Sequence, residues 1–182
     1  MTRSIPRLSF NELEKSLQTR LERRVARLNY LGEFFQCFGH QPVALCAFVD
    51  FGETAKDQLD GRIVETIALT VSSVCQNDYE KNQHEQLCLK MGLGKSWIRQ
   101  IEALDPRQVD EQTQSEVAVQ KLAIAMATGD RGASVLLEDV VAQFGARQAV
   151  AVLMVIGRYI AHSAMVGALA LTPPVPSPFS RD

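Results

Sequence analysis

Proline is nearly missing from the body of this 182-residue chain. Its seven prolines stand at 6, 42, 106, 173, 174, 176 and 178, so residues 43–105 and 107–172 contain none. Sustained strand alternation is missing too, and apolar residues recur instead at helical spacing. Sandwiches and α/β layers are thereby excluded, and an all-α fold is expected. Charge of one sign is missing: the formal net charge is −2, which advertises neither nucleic acid nor an acidic membrane surface. Cysteine is sparse, at 37, 46, 75 and 88, and no two form C-x-x-C. With no apolar core behind Met1–Arg7, these read as reduced thiols of a cytoplasmic protein. Phosphate-cradling glycine loops are absent, since Gly92-Leu93-Gly94 is only a helix stop and restart. The apolar run Ala149–Ile156 is cut short by Arg158, His162 and Ser163. A mid-span arginine costs roughly 2.5–3.5 kcal/mol on insertion scales, so a buried helix is expected and no membrane span.

What is present is helix punctuation. The length fits one domain over 1–182 that needs no disulfide or metal to fold. About eight or nine helices are expected in a compact bundle. Ser9 with Glu12 is a capping-box pattern opening a helix to about Leu28. Further helices cover Tyr30–Phe38, Pro42–Lys56, Arg62–Val74 behind an Asp60 cap, Asn77–Gly92 and Lys95–Ala103. Asp105-Pro106 marks a break, after which Thr113 and Glu116 open another helix to about Thr128. Val135, Leu136, Leu137, Val140, Val141 and Phe144 form a broad apolar stripe that Gly145 stops. A last helix, about Ala146 to Leu171, is apolar nearly all round, and residues 172–182 form an extended tail.

Groups that move protons gather in one stretch, Glu65 to Gly92. Glu80, His84 and Cys88 are spaced i, i+4, i+8 and share one stripe of a helix. Glu65 lies one helix earlier, where a tight antiparallel turn near Cys75–Asn77 brings it back over Glu80 and His84. A carboxylate beside an imidazole raises its proton affinity and fixes its tautomer, as acid–base work near neutral pH requires. Each residue also has a bland explanation. Asn77 with Glu80 is itself a helix-start pattern, and Cys75 is a small apolar filler or, near a helix start, a thiol of lowered pKa. Tyr79 packs or lines a pocket, and His162 either reaches a central site or marks a subunit contact. Glu65, in an otherwise apolar helix, needs a partner, and His84 is the nearest in type.

The run Cys75-Gln76-Asn77-Asp78-Tyr79-Glu80-Lys81-Asn82-Gln83-His84, with Glu65 upstream, resembles the carboxymuconolactone decarboxylase and alkylhydroperoxidase-D-like family. Members often carry Y-E-W-x-x-H here, and this chain departs from it at Lys81. The resemblance spans about residues 60–92, the motif core, and extends loosely to the flanking helices. Peroxidase members carry C-x-x-C-x-x-x-H instead, and those cysteine positions fall on Asn77 and Glu80. The resemblance therefore implies a decarboxylase-like lyase with Glu65, Glu80 and His84 as catalytic residues. Its substrate would be a small organic acid or lactone. Asn77, Cys75, Tyr79 and His162 are further candidates for the pocket or for a reactive thiol. The alternatives are an alkylhydroperoxidase-like antioxidant with peroxiredoxin-type activity and a non-catalytic helical assembly protein.

No metal or cofactor is expected. Carboxylate-bridged metal bundles need paired E-x-x-H motifs, and the chain has none. Arg20, Arg23, Arg24 and Arg27, interleaved with acids, read as a solvated face and no nucleic-acid stripe. The apolar last helix, with the oligomeric habit of the family, implies a homo-oligomer: a dimer, trimer or hexamer.

Overall fold

The computed structural model describes residues 5–107 and 111–180. Among them lie eight α-helices and one short 3₁₀ turn, with no strand. The all-α expectation holds. Where the sequence suggests a single domain, the residues gather into two compact units, 1–53 and 54–182. Each is described in turn; the tail residues Arg181 and Asp182 lie outside the described residues.

The first unit contains α1 (Lys15–Leu28), α2 (Glu33–Phe38) and most of α3 (Pro42–Lys56). Leu13, Leu17, Leu21, Phe34, Leu45 and Val49 form its buried interior. Phe34 stacks on Phe38 with ring centroids 4.4 Å apart and meets Phe35 edge-on at 5.5 Å, the offset and T-shaped arrangements that aromatic quadrupoles favour. A Cβ on Gly39 would collide with Leu13 Cδ2 and stand 3.0 Å from the Phe35 carbonyl oxygen. Glycine is required there by close approach. The arginines of α1 lie on a solvated face, where Arg20 pairs with Asp50 and Glu53 and Arg24 lies 3.7 Å from Glu53. The Ser9–Glu12 capping box forms as the sequence suggests, but it caps the 3₁₀ turn Phe10–Glu12. Leu13 is extended and α1 begins only at Lys15, so one expected helix is two pieces.

The second unit is built around α4 (Gly61–Val74), which packs on α5 (Asp78–Lys90), α6 (Lys95–Glu102), α7 (Gln114–Thr128) and α8 (Ala133–Leu169). Ten consecutive residues of α4, Ile63–Ser72, are buried. Ile67, Val71, Val119, Leu122, Val152 and Ile156 interlock at its centre, each contributing about 1.5–3 kcal/mol by leaving water. Asp60 caps α4 through Arg62 N at 2.8 Å, and Thr113 with Glu116 forms the capping box of α7. Gly145 carries φ 72° and ψ 165°, so α8 is two helical segments with a break where the sequence places it. By length and composition alone α8 suffices to cross a membrane. In the fold it is a core helix, with Ala149, Val152, Val155, Ile156 and Tyr159 buried.

Candidate proton-transfer site

The turn between α4 and α5 creates the site. Cys75 ends α4, Gln76 adopts the left-handed conformation with φ 52°, and Asn77 caps α5. Asn77 N reaches Ser72 O at 2.8 Å and Gln76 N reaches Ser73 O at 3.2 Å. This bond pair closes a helix end and reverses the chain tightly. Asn77 Oδ1 accepts from Glu80 N at 3.3 Å, while its Nδ2 donates to Ser163 Oγ at 3.0 Å. The helix start is thus capped by Asn77, and the Glu80 carboxylate points elsewhere.

It points at two imidazoles and a guanidinium. Glu80 Oε2 lies 3.4 Å from His84 Nε2 and 3.6 Å from Arg158 Nη1, and its Oε1 lies 3.6 Å from His162 Nδ1. On the other side of the imidazole, His84 Nδ1 stands 2.7 Å from Glu65 Oε2. Cys88 Sγ donates to the same oxygen at 3.5 Å. Tyr159 places its hydroxyl 3.1 Å from His84 Nε2. Both Lys56 Nζ and Arg158 Cζ lie within 5 Å of the Tyr159 ring centroid, at 4.8 and 4.7 Å. The helices therefore deliver Glu65 from α4, Glu80, His84 and Cys88 from α5, and Arg158, Tyr159 and His162 from α8. Lys56 comes from the end of α3.

Burial sharpens the electrostatics. Desolvation opposes a charge on His84, yet Glu65 and Glu80 lift its pKa to about 9. Desolvation likewise opposes a charge on Glu80, but His162, His84 and Arg158 outweigh it and hold the carboxyl well below the usual range. His162 is pushed down to about 4 by burial, with Glu80 resisting and Arg158 adding to the fall. At neutral pH His162 is therefore uncharged, and the standing cations beside Glu80 are His84 and Arg158. Burial raises the Cys75 thiol, partly offset by a hydrogen bond from Ser163. Burial and the Glu65 charge raise Cys88 further. Cys75 sits at the C-terminal end of α4 and not at a helix start, so the dipole disfavours its thiolate. That reverses the electrostatic argument made for it from the sequence.

The structure brings Glu65, Glu80, His84 and His162 together. Asn77 supports the cluster as a cap, and Tyr79 is buried with its ring 6.3 Å from that of His162. Lys81, at the departure from the family pattern, pairs with Asp78 at 2.6 Å. Sequence reasoning missed Lys56 and Tyr159 and gave Arg158 no role. A signal for Arg158 existed, since an arginine inside a helix apolar nearly all round must turn toward a partner. Among the described residues, no group of three His, Cys, Asp or Glu side chains is arranged to hold a metal.

No family model and no curated protein matches this sequence. Solved structures share its fold. A peroxidase-related protein from Ralstonia eutropha JMP134, described as an alkylhydroperoxidase AhpD core, superimposes with TM-score 0.77 at 13% identity, covering 92% of this chain and 90% of that one. The debrominase Bmp8, in complex with 2,3,4-tribromopyrrole, gives TM-score 0.76 at 14% identity, covering 94% and 92%. A protein of unknown function from Agrobacterium tumefaciens, suggested to be an AhpD of antioxidant defence, gives 0.69 at 20% identity, covering 76% and 96%. The chain has the all-α fold of the alkylhydroperoxidase AhpD core.

Proposed function

We propose that the chain is an enzyme that moves protons on a small organic acid or lactone, in the manner of a decarboxylase. The observation that carries this reading is one imidazole, 2.7 Å from Glu65 on one nitrogen and 3.4 Å from Glu80 on the other. At neutral pH His84 holds its proton and Glu80 has lost its own, so an acid and a base stand ready side by side. Loss of carbon dioxide from a carboxylate substrate leaves an electron pair on carbon. The His84 imidazolium supplies the proton that quenches it and is recharged from solvent. Glu80 is the group to accept a carbon-bound proton where the reaction needs one. Arg158 and Lys56 supply the positive charge that a carboxylate substrate seeks.

A non-catalytic assembly role would leave a nearly dry cluster of ionised groups unexplained, because burying such charges is costly. The antioxidant reading has the likeness of fold in its favour. Against it stand Asn77 and Glu80 at the two cysteine positions of the resemblance, and thiols that burial holds protonated. Copies of the chain are proposed to assemble through the outer apolar face of α8, where Val135, Val141, Val150 and Met154 are exposed. Sedimentation at micromolar concentration tests this, and a monomer contradicts it. The cytoplasm is the proposed compartment.

The test of the chemistry is deuterium exchange into carbon positions, and carbon dioxide release, over a panel of small keto acids and lactones. The native chain is expected to turn over at least one. His84→Ala and Glu80→Gln should each lose about a hundredfold or more while keeping the native helical content by circular dichroism, even where the melting temperature falls. No exchange with any member of the panel contradicts the enzyme reading.

A further inference from the structure

An imidazole that gives up a proton and takes it back has to be satisfied in both states. Charged, it carries a proton on each ring nitrogen; neutral, it keeps only one. Glu65 Oε2, 2.7 Å from His84 Nδ1, belongs to a carboxylate, which accepts and cannot donate. The proton that the neutral ring keeps is therefore the one on Nδ1, and Nε2 is the nitrogen that loses and regains. Glu80 Oε2 at 3.4 Å and the Tyr159 hydroxyl at 3.1 Å both meet Nε2. While Nε2 holds its proton, Glu80 attracts it. Once the proton has gone, the bare lone pair faces a carboxylate with no proton to offer, and the two repel. A hydroxyl has no such limit, since it accepts in one state and donates in the other.

The fold holds that hydroxyl in place. Tyr159 is 1% exposed and belongs to the same buried cluster as Ile67, Val152 and Ile156. Its ring meets that of His84 edge-on, with centroids 5.4 Å apart and planes at 76°. Lys56 Nζ and Arg158 Cζ, 4.8 and 4.7 Å from its centroid, add cation–π contacts that fix the ring further. No heavy atom has to move between the two states, because turning the O–H bond about the C–O axis is enough. The charged and titratable groups around His84 are Glu65 of α4, Glu80 and Cys88 of α5, Arg158 and His162 of α8, and Lys56 at the end of α3. Of these, Cys88 stays protonated and His162 uncharged at neutral pH. Burial favours the neutral His84 ring, and Glu65 and Glu80 favour the charged one.

We propose that Tyr159 is a positioning residue of the relay, its hydroxyl accepting from His84 Nε2 before proton transfer and donating to it afterwards. Through the second bond it stabilises the neutral imidazole, the form that the two carboxylates oppose. In the transfer the Nε2–H bond breaks with its electron pair left on nitrogen. The proton goes to the substrate carbon, and no bond of Tyr159 is broken. The hydrogen-bonding role stands on the geometry alone, and its bearing on turnover rests on the function proposed above.

The full chain with 15N-labelled histidine provides the test by NMR titration. Tyr159→Phe keeps the ring and removes the hydroxyl. The charged imidazole still has Glu80, while the neutral one loses its donor. The His84 midpoint should therefore rise from about 9 by about half a pH unit or more. A purely structural role predicts the opposite sign, because a loosened site admits water, weakens both carboxylates and draws the midpoint down toward 6.5. In the native chain above its midpoint, Nδ1 should carry the proton and Nε2 should show the shift of a nitrogen accepting a hydrogen bond. A neutral His84 protonated on Nε2 overturns the proposal, as does a Tyr159→Phe midpoint that stays or falls. So does an imidazolium that persists while a tyrosinate absorbance, absent from Tyr159→Phe, rises near pH 9. With a substrate that turns over, the alkaline limb of the kcat profile should move up with the midpoint, and turnover at about pH 7 should fall several-fold. A limb that stays in place overturns the part given to Tyr159 in turnover. If nothing in the panel turns over, the enzyme reading fails, and the labelled imidazole still decides the role of Tyr159.

Discussion

At the scale of single residues, His84 is defined by what stands on its two nitrogens. Glu65 on Nδ1 is the shorter contact and the larger electrostatic influence after burial. Glu65→Gln should therefore lower the His84 pKa from about 9 toward the ordinary value, read by the NMR titration of its ring protons. An unchanged titration would mean that the two residues do not communicate. The thiols allow a second expectation. Burial keeps Cys75 and Cys88 protonated, and only a thiolate attacks peroxide readily. Stoichiometric hydrogen peroxide should form no specific intrachain disulfide, and thiol counting with mass spectrometry checks this. Rapid closure of one bridge, reopened by a dithiol, would restore the peroxidase reading. Glu65, Glu80 and His84 were legible in the sequence because they lie within 20 positions and two neighbouring helices. Tyr159 was not, since it reaches the imidazole from a helix 75 positions away, and neither was Lys56, which lies over the Tyr159 ring with no local spacing to announce it.

At the scale of elements, legibility followed the punctuation. Asp60, Asn77, Thr113 and Gly145 each mark an end that the structure keeps, because each satisfies a backbone group or adopts a dihedral that few other residues supply. Ser9 shows the limit of such signals. Its capping box forms, yet the chain leaves the helical path four residues later at Leu13, whose side chain is buried in the first unit. The turn near Cys75–Asn77 was expected, but its left-handed residue Gln76 gave no signal, since glutamine has no preference for positive φ. Its side chain is exposed and its φ is 52°, so Gln76→Gly should remove strain at a helix end. A gain of about 0.5–1 kcal/mol is expected in urea unfolding. The His84 titration should stay unchanged, because the turn keeps its path. A loss of stability would show that the left-handed residue costs nothing here.

At the scale of the whole molecule, the buried titrating groups shape stability against pH. His84 has a folded pKa of about 9, raised from 6.5, so its contribution is full below 6.5 and is lost as pH rises toward 9. Glu102, raised from 4.5 to about 8, likewise favours the folded state at low pH and loses that contribution up to about 8. His162 is depressed from 6.5 to about 4, so it favours the folded state above 6.5 and loses this as pH falls toward 4. Glu80, held below its ordinary range, acts in the same direction at still lower pH. The opposing contributions leave a plateau between about pH 4.5 and 6.5 and a decline from 6.5 to 9. Melting temperature across this range checks it, and a maximum near pH 8 would contradict it. The placement of the site between α4 and α5 has a dynamic consequence. α4 is buried over ten consecutive residues, and its amides open to solvent deuterium only when the second unit unfolds as a whole. α5 is polar along most of its length and is less continuously buried than α4, so its amides should exchange by smaller and more frequent openings. One carboxylate of the relay thus rides on the stiffest helix, while the imidazole and the second carboxylate move together on a softer one. The 2.7 Å contact of Glu65 with His84 is then the tether through which the fluctuations of α5 are referred to a fixed point.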